Sequence, residues 1–323
     1  MHRRPSSTRT SRTAVLTAVA VLLISTSVNA GQVRVSVGNF AFNPSTVTVN
    51  LGDHVVWVWT GGSHSVTSGT DGSKTGDGIF NSTEQTANAA GGANTAFSWK
   101  SDRTGAVPYY CIPHFPDMTG SITVLAGSGA AVADFRITEV LYSSGSADLI
   151  EITNMGTAAG DLGRYRIAIS GDVEGLPIAS VNVAPGGIVI LHPNASGTNS
   201  TSNVFVPALN SLADAAGSVA LYVPSTISGH TALTDATQIV DFVQYGAGGQ
   251  ANEAAAVTAG FWTSGQFVPT VGVAGRSIEF CGNRSDHGAA QWSEIDPPNF
   301  GNDGNCITPT QTATWGRVKT LYR

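Results

Sequence analysis

The chain has 323 residues, which is enough for about two domains. Its 22 acidic residues outnumber its 16 lysines and arginines, so the formal net charge is −6. An acidic chain repels phosphate groups, and direct nucleic-acid binding is therefore not expected. No segment shows a long apolar stripe of helical period, and short polar–apolar alternations predominate, which predicts an all-β protein made of two β-sandwiches.

Residues 1–30 have the pattern of a secretory signal peptide. A basic start that includes the pair Arg3-Arg4 precedes an apolar core at 14–24, and Ala30 ends a small-residue cleavage site. The core is too short to span a bilayer comfortably. Cleavage would remove four basic and no acidic residues, which leaves a net charge of −10. We therefore predict export to the periplasm or the extracellular space, by general secretion in preference to a twin-arginine route, with no transmembrane segment in the mature chain.

Residues 31–126 are predicted to form the first β-domain. Polar and apolar residues alternate over 46–51, which predicts a strand with one face toward a core. The run 54–59 predicts a central strand with His54 at the surface. The predicted core aromatics are Trp57, Trp59, Phe97 and Trp99. A polar insert at 68–92 is predicted to cover one side of the domain as a loop or a short helix.

Four side chains of this domain form the ligand set of a blue-copper electron-transfer site. His64 lies upstream, whereas Cys111, His114 and Met118 share one short segment. In a β-sandwich, one strand end and a neighbouring hairpin loop would bring the two groups together. The soft thiolate favours Cu(I), the imidazoles accept both oxidation states, and a weak axial thioether helps to set the reduction potential.

These motifs make residues 33–125 resemble the cupredoxin family, of the plastocyanin, pseudoazurin and amicyanin type. The resemblance rests on the segments 40–44, 55–59, 63–66 and 109–124. It implies a Greek-key β-sandwich that holds one type 1 copper ion. The equatorial ligands that it implies are His64, Cys111 and His114, and the axial ligand is Met118.

Two details of the ligand segments differ from the usual family pattern. Three residues separate His114 from Met118, whereas plastocyanin-like loops usually have one more and amicyanin-like loops one fewer. Ser65 follows the first histidine, where the family often has an asparagine that ties the two segments together; serine can hydrogen-bond there but reaches less far. The resemblance also implies that His114 is the electron exit port, within an apolar surface formed by Pro113, Phe115 and Pro116.

The motifs predict an electron carrier and not an enzyme. The sequence has no His-x-His pair for a trinuclear copper cluster, no Cys-x-x-Cys-His haem attachment site, and no Gly-rich phosphate loop or Gly-x-Ser-x-Gly elbow. A redox protein is the expected donor or acceptor. Two alternatives remain open: a copper-binding or storage protein without a redox partner, and a surface interaction protein that uses the fold as a scaffold.

A short flexible linker at 127–132, rich in Gly and Ala, is predicted to precede a second β-domain at 133–306. Its short strands, separated by turn residues, indicate an antiparallel sandwich. The segments 134–142, 148–154 and 239–246 resemble, in this order, strands of the lamin-tail domain. The resemblance implies an immunoglobulin-like sandwich that serves for attachment to a cell surface or a protein partner, and it carries over no catalytic residues.

The remaining features of the second half are two cysteines, two glutamates and a tail. Cys281 and Cys306 are predicted to form a disulfide, which an exported protein can keep. Glu139 and Glu151 have the chemistry of a metal or acid–base pair, but we favour strand-end polar positions. The tail at 307–323 ends in a basic and aromatic segment. We favour the interpretation that this segment is an amphipathic end without a specific role over the alternative that it is a sorting, attachment or docking signal.

Overall fold

The computed structural model describes the β-rich body of the chain. The described residues are 31–87, 96–127, 129–143, 147–163, 165–223, 233–284 and 286–302. The predicted signal peptide, Cys306 and the tail lie outside the described residues, so the pairing of Cys281 with Cys306 stays a prediction. Within the described ranges, no helix has both the length and the apolar character needed to cross a membrane.

The first domain contains two four-stranded sheets. Its strands are β1 (Gln32–Gly38), β2 (Ala41–Asn43), β3 (Thr46–Asn50), β4 (His54–Trp59), β5 (Ser63–His64), β6 (Thr67–Ser68), β7 (Gln85–Thr86), β8 (Ala96–Lys100), β9 (Gly105–Tyr110) and β10 (Thr119–Leu125). One sheet has the order β2-β1-β4-β8, the other has the order β3-β10-β9-β6, and β5 pairs with β7. Strands β1 and β4 run parallel, as do β3 and β10, so the chain crosses between the sheets instead of forming a simple meander.

Aromatic rings fill the core of the first domain. Trp57 is fully buried, and its ring centroid lies 5.1 Å from that of Phe80 and 5.4 Å from that of Tyr109. Tilted and edge-to-face contacts at these distances stabilise more than apolar burial alone. The predicted core aromatics are all buried and therefore confirmed: Trp57, Trp59, Phe97 and Trp99. The polar insert contributes Phe80 to this core from a loop, and its described part, 68–87, contains no helix.

The second domain contains a six-stranded and a four-stranded sheet. Its elements are β11 (Phe135–Ser143), β12 (Leu149–Asn154), β13 (Gly160–Asp161), β14 (Arg166–Ile169), β15 (Leu176–Pro177), β16 (Asn182–Val183), β17 (Ile188–Pro193), β18 (Asn203–Val206), β19 (Gly217–Tyr222), β20 (Ile239–Tyr245), the helix α1 (Glu253–Thr258), β21 (Arg276–Phe280) and β22 (Trp292–Ile295). The sheets have the orders β18-β17-β12-β11-β21-β22 and β15-β14-β19-β20, and β13 pairs with β16. The prediction of an all-β fold is confirmed.

The two domains share buried surface along β4. Val56 and Val58 belong to the apolar core of the second domain, whereas Trp57 belongs to the core of the first. His54 is fully buried, and its Nε2 lies 2.8 Å from the carbonyl oxygen of Thr237. The prediction of a surface position for His54 is therefore wrong, because the second domain covers the face of β4 that an isolated domain would expose to water.

The linker segment packs against both domains. The backbone N–H of Ala130 donates to Asn50 Oδ1 at 3.0 Å in the first domain. The carbonyl oxygen of Val132, a residue with 1 % of its surface exposed, accepts a hydrogen bond from Thr157 N at 2.9 Å in the second. A segment bonded on both sides holds the domains at a fixed distance, unlike a flexible glycine-rich tether.

Candidate metal centre

The hairpin that joins β9 to β10 carries three of the four predicted ligands. Cys111 directly follows β9 and Met118 directly precedes β10, with His114 at the end of a single 3₁₀ turn between them. Cys111 N donates to the Met118 carbonyl at 3.0 Å, and Met118 N donates to the His114 carbonyl at 3.0 Å. These bonds close the loop on itself, so the spacing of the three residues is fixed by backbone geometry.

The first histidine comes from the short strand β5. The indole Nε1 of Trp59 donates to the His64 carbonyl oxygen at 3.0 Å. Gly62 has a φ of +70°, and a Cβ at this position would lie 2.8 Å from His64 Nε2. A residue with a side chain would therefore be strained at Gly62 and would press on the imidazole. The turn before β5 thus uses glycine to place this ring.

The two imidazoles and the thiol converge on one point. His64 Nδ1 lies 3.1 Å from His114 Nδ1, and Cys111 Sγ lies 3.2 Å from His114 Nδ1 and 3.7 Å from His64 Nδ1. All three donor atoms lie within 4.8 Å of one another. Cys111 and His64 are buried, with 0 and 2 % of their surface exposed, whereas His114 is half-buried. The geometry is that of a trigonal His₂Cys site open to the surface on the His114 side.

Ser65 connects the two ligand segments. Its Oγ accepts the backbone N–H of Ile112 at 2.7 Å, and its own backbone N–H points to Cys111 Sγ at 3.3 Å. Serine therefore makes the tie for which the family often uses asparagine. A hydrogen bond to the cysteine sulfur favours its ionised form, which is the form that binds a metal.

The electrostatics of the site favour a bound cation. Burial lowers the pKa of His64, and the neighbouring His114 lowers it further, so the ring is held in the neutral form that binds metals. Burial raises the pKa of the Cys111 thiol, although the hydrogen bond from Ser65 opposes the rise. A thiolate at this depth needs a compensating positive charge, and a soft or borderline metal ion would supply it. The thiol and two imidazoles together fit copper.

Met118 is buried at the end of the ligand loop, with 1 % of its surface exposed. It belongs to the apolar core of the first domain, together with Cys111. The backbone bonds described above bring it next to the loop that carries His114. Its role as the axial ligand stays a prediction.

An apolar surface surrounds the exposed side of His114. Pro113, Phe115 and Pro116 are all exposed. The ring of Phe115 lies 5.3 Å from that of Tyr110, between centroids. Tyr110 in turn donates from its hydroxyl to Asp71 Oδ1 at 3.0 Å, so the aromatic pair is fastened to the polar insert.

Phe40 is part of this surface and was not predicted as a site residue. Its side chain is 68 % exposed, and its ring contacts His114 edge-to-face with 4.8 Å between centroids. Asn39 and Phe40 form the two-residue turn between β1 and β2, with φ values of 50° and 56°. Asparagine suits such a turn, but a bulky residue at positive φ is strained, and strain of this kind clusters at functional sites. The signal in the sequence was a phenylalanine in a tight turn, where glycine is usual.

Residues 29–125 match the family of copper binding proteins described as the plastocyanin/azurin family. This part of the chain is a cupredoxin domain. Membership of this family implies a single copper ion, and His64, Cys111 and His114 are the residues of this domain whose donor atoms are grouped closely enough to hold one. The comparison with curated proteins gave no match.

Solved structures similar to the chain include several forms of amicyanin. The reduced state of one amicyanin mutant is 22 % identical, covers 29 % of this chain and 82 % of its own, and has a TM-score of 0.24. The reduced Cu(I) form of a second mutant at pH 4 is 23 % identical, covers 30 % of this chain and 85 % of its own, and has the same TM-score of 0.24. An oxidized mutant is 20 % identical, covers 28 % and 80 % of the two chains, and has a TM-score of 0.23.

Proposed function

We propose that the chain is an exported electron-transfer protein in which His64, Cys111 and His114 hold one type 1 copper ion and Met118 is its axial ligand. The observation that carries the proposal is the convergence of two Nδ1 atoms and one Sγ atom at distances of 3.1 to 3.7 Å. When bound, the copper ion supplies a one-electron couple between Cu(I) and Cu(II).

The protein contributes a ligand cage that changes little between the two oxidation states. The ligand loop is closed by backbone hydrogen bonds between Cys111, His114 and Met118. Ser65 fastens this loop to the segment that carries His64. Since protein interiors are close-packed and resist displacement, these ties keep the donor atoms in place when an electron arrives or leaves.

The half-exposed ring of His114 is the proposed route for the electron. Pro113, Phe115, Pro116 and Phe40 form an exposed apolar surface around it. A small apolar surface lets a partner approach closely and then leave, as transient redox complexes require. The partner would be a redox protein. The acidic net charge of the chain suits a basic partner and would raise the encounter rate.

The same proposal gives the remaining parts of the chain supporting roles. Residues 1–30 would direct export to the periplasm or the extracellular space. The second domain, as a lamin-tail module, would attach the copper domain to a cell surface or a protein partner. No enzymatic turnover is proposed, because a thioether from Met118 would leave no open coordination position for a substrate.

The test is a Cu(II) titration of the mature chain, residues 31–323, followed by visible and paramagnetic resonance spectroscopy. We expect an intense blue absorption with narrow copper hyperfine splitting that Cys111→Ser abolishes. His192→Ala is a matched control, since His192 contacts Phe205 in the second domain and lies outside the ligand set. A colourless protein, or weak type 2 copper alone, would overturn the electron-transfer proposal. Blue copper without reversible electrochemistry would support storage instead.

A further inference from the structure

Three glutamates lie side by side across the large sheet of the second domain. Glu139 of β11 is opposite Glu151 of β12 and also opposite Glu279 of β21. They are almost completely buried, with 1, 3 and 3 % of their surface exposed. The interpretation of Glu139 and Glu151 as strand-end polar positions is therefore wrong, since both lie within strands. Like charges directly opposite each other destabilise a sheet, so this row needs a compensating group.

The segment that follows β22 closes over the three carboxyl groups. Asn299 N donates to Glu139 Oε1 at 3.1 Å, and Asn299 Nδ2 donates to Glu279 Oε1 at 3.0 Å. Two residues later, Gly301 N donates to Glu151 Oε2 at 2.7 Å. This arrangement removes the glutamates from water and fixes one oxygen of each carboxylate.

Three other oxygens of the same group have no hydrogen-bond partner. They are Glu139 Oε2, Glu279 Oε2 and Asn299 Oδ1, and each is buried. An unpartnered buried oxygen costs a substantial part of its hydration free energy. Isolated cases are rare in folded proteins. All three belong to residues that Asn299 joins by hydrogen bonds, so one shared group would satisfy them together.

A shared proton does not account for all three oxygens. Burial is the main reason that the pKa of Glu139 rises to about 7, and the charges of Glu151 and Glu279 add to the rise. A protonated Glu139 could donate to Glu279 and so satisfy two oxygens. The amide oxygen of Asn299 accepts hydrogen bonds and cannot donate, so it would remain without a partner. A cation satisfies carboxylate and amide oxygens together.

We propose that Glu139 Oε2, Glu279 Oε2 and Asn299 Oδ1 bind one hard divalent cation, and that Ca²⁺ is the ion that suits them. Carboxylate and amide oxygens are hard ligands, in contrast to the thiol and imidazoles of the copper site. Ca²⁺ accepts irregular arrangements completed by water or carbonyl groups, whereas Mg²⁺ demands a near-octahedral one. The bound ion would fasten the segment of Asn299 to β11 and β21.

The test uses the chelator-treated mature chain, residues 31–323, titrated with CaCl₂ by calorimetry and by thermal unfolding. Extracellular modules bind Ca²⁺ with dissociation constants of about 10⁻⁴ to 10⁻³ M, so millimolar Ca²⁺ is expected to raise the unfolding temperature. Glu279→Gln removes one charge and keeps the side-chain size, and it is expected to abolish that rise. Asn299→Ala is expected to weaken binding at least tenfold.

Glu253→Gln is the matched control. Glu253, the first residue of α1, is also a buried carboxylate, with 8 % of its surface exposed. It lies outside the row of three glutamates and accepts a hydrogen bond from Gly265 N. This variant should respond to Ca²⁺ as the unsubstituted chain does. The proposal is overturned if the unsubstituted chain shows no response to 10 mM Ca²⁺, or if Glu279→Gln responds equally. The shared proton is the correct account if Ca²⁺ has no effect, the unsubstituted chain loses stability as the pH rises above 7, and Glu279→Gln removes that loss.

Discussion

Replacing Ser65 with alanine tests whether the two ligand segments act as one unit. Alanine keeps the backbone N–H that points to Cys111 Sγ, but it leaves the backbone N–H of Ile112 without its acceptor at 2.7 Å. Orphaned buried donors cost about 1–3 kcal/mol. Ile112 is half-buried, so water can replace part of the lost bond. We therefore expect a loss of about 1–2 kcal/mol in the free energy of unfolding.

Ser82→Ala provides a matched control for this substitution. Ser82 is also buried, with 1 % of its surface exposed, and its Oγ accepts the backbone N–H of Val66 at 2.8 Å. Neither Ser82 nor Val66 belongs to the ligand loop. Both variants are thus expected to lose a similar free energy of unfolding, measured in urea on the copper-free mature chain by linear extrapolation.

The copper-loaded proteins then separate the two effects. We expect Ser65→Ala to release copper to a chelator faster than Ser82→Ala does, and to show a changed reduction potential, because the hydrogen bond that Ile112 N–H of the ligand loop donates to Ser65 Oγ is lost. Equal release rates and equal potentials for the two variants would refute the idea that Ser65 couples the segments. A stability loss well under 0.5 kcal/mol for Ser65→Ala would show that the Ile112 N–H finds another acceptor.

Three further predictions concern the fold and the surface around the site. Burial lowers the pKa of His54 from 6.5 to about 4. The neutral ring therefore contributes stability above pH 6.5, and that contribution, on the order of 3 kcal/mol, is lost as the pH falls toward 4. His54→Gln should flatten the pH dependence of the free energy of unfolding over this range, and an unchanged slope would contradict the burial of His54. Gly120→Ala places a Cβ 2.3 Å from the buried ring of Tyr109 and should lower the free energy of unfolding by about 1–3 kcal/mol through overpacking. The control Gly61→Ala places its Cβ in open space and should leave the free energy of unfolding unchanged in the same urea titration. Phe115→Glu should retain blue copper but slow electron self-exchange between two copies of the protein roughly tenfold at low salt, because the negatively charged surfaces around His114 on the two copies repel each other. An unchanged self-exchange rate would place the electron exit port elsewhere.

The proposed copper ligands could be predicted from sequence because three of them lie within eight residues of one another. A closed hairpin loop fixes such a group locally, and Cys111, His114 and Met118 needed no long-range information to be recognised. His64 required the expectation that a neighbouring strand ends beside that loop. The structure brings His64 to 3.1 Å from His114, between Nδ1 atoms, which confirms the juxtaposition of these two residues.

The residues that sequence analysis missed depend on contacts between distant segments. Phe40 reaches His114 because the tight turn before β2 lies beside the ligand loop. Glu279 joins Glu139 only through the pairing of β11 with β21, which are more than a hundred residues apart. Strand pairing over such separations is set by tertiary packing, and no local pattern in the sequence specifies it.

The sequence around β4 did contain a signal for the contact between the domains. Alternation of polar and apolar residues marks a strand with one face in water, whereas a continuous apolar run marks a strand buried on both faces. Residues 55–59, Val-Val-Trp-Val-Trp, form such a run. Trp57 packs in the first core and Val56 and Val58 in the second, so the absence of alternation already required a second covering layer. The copper domain therefore carries an apolar face on β4 that the second domain covers.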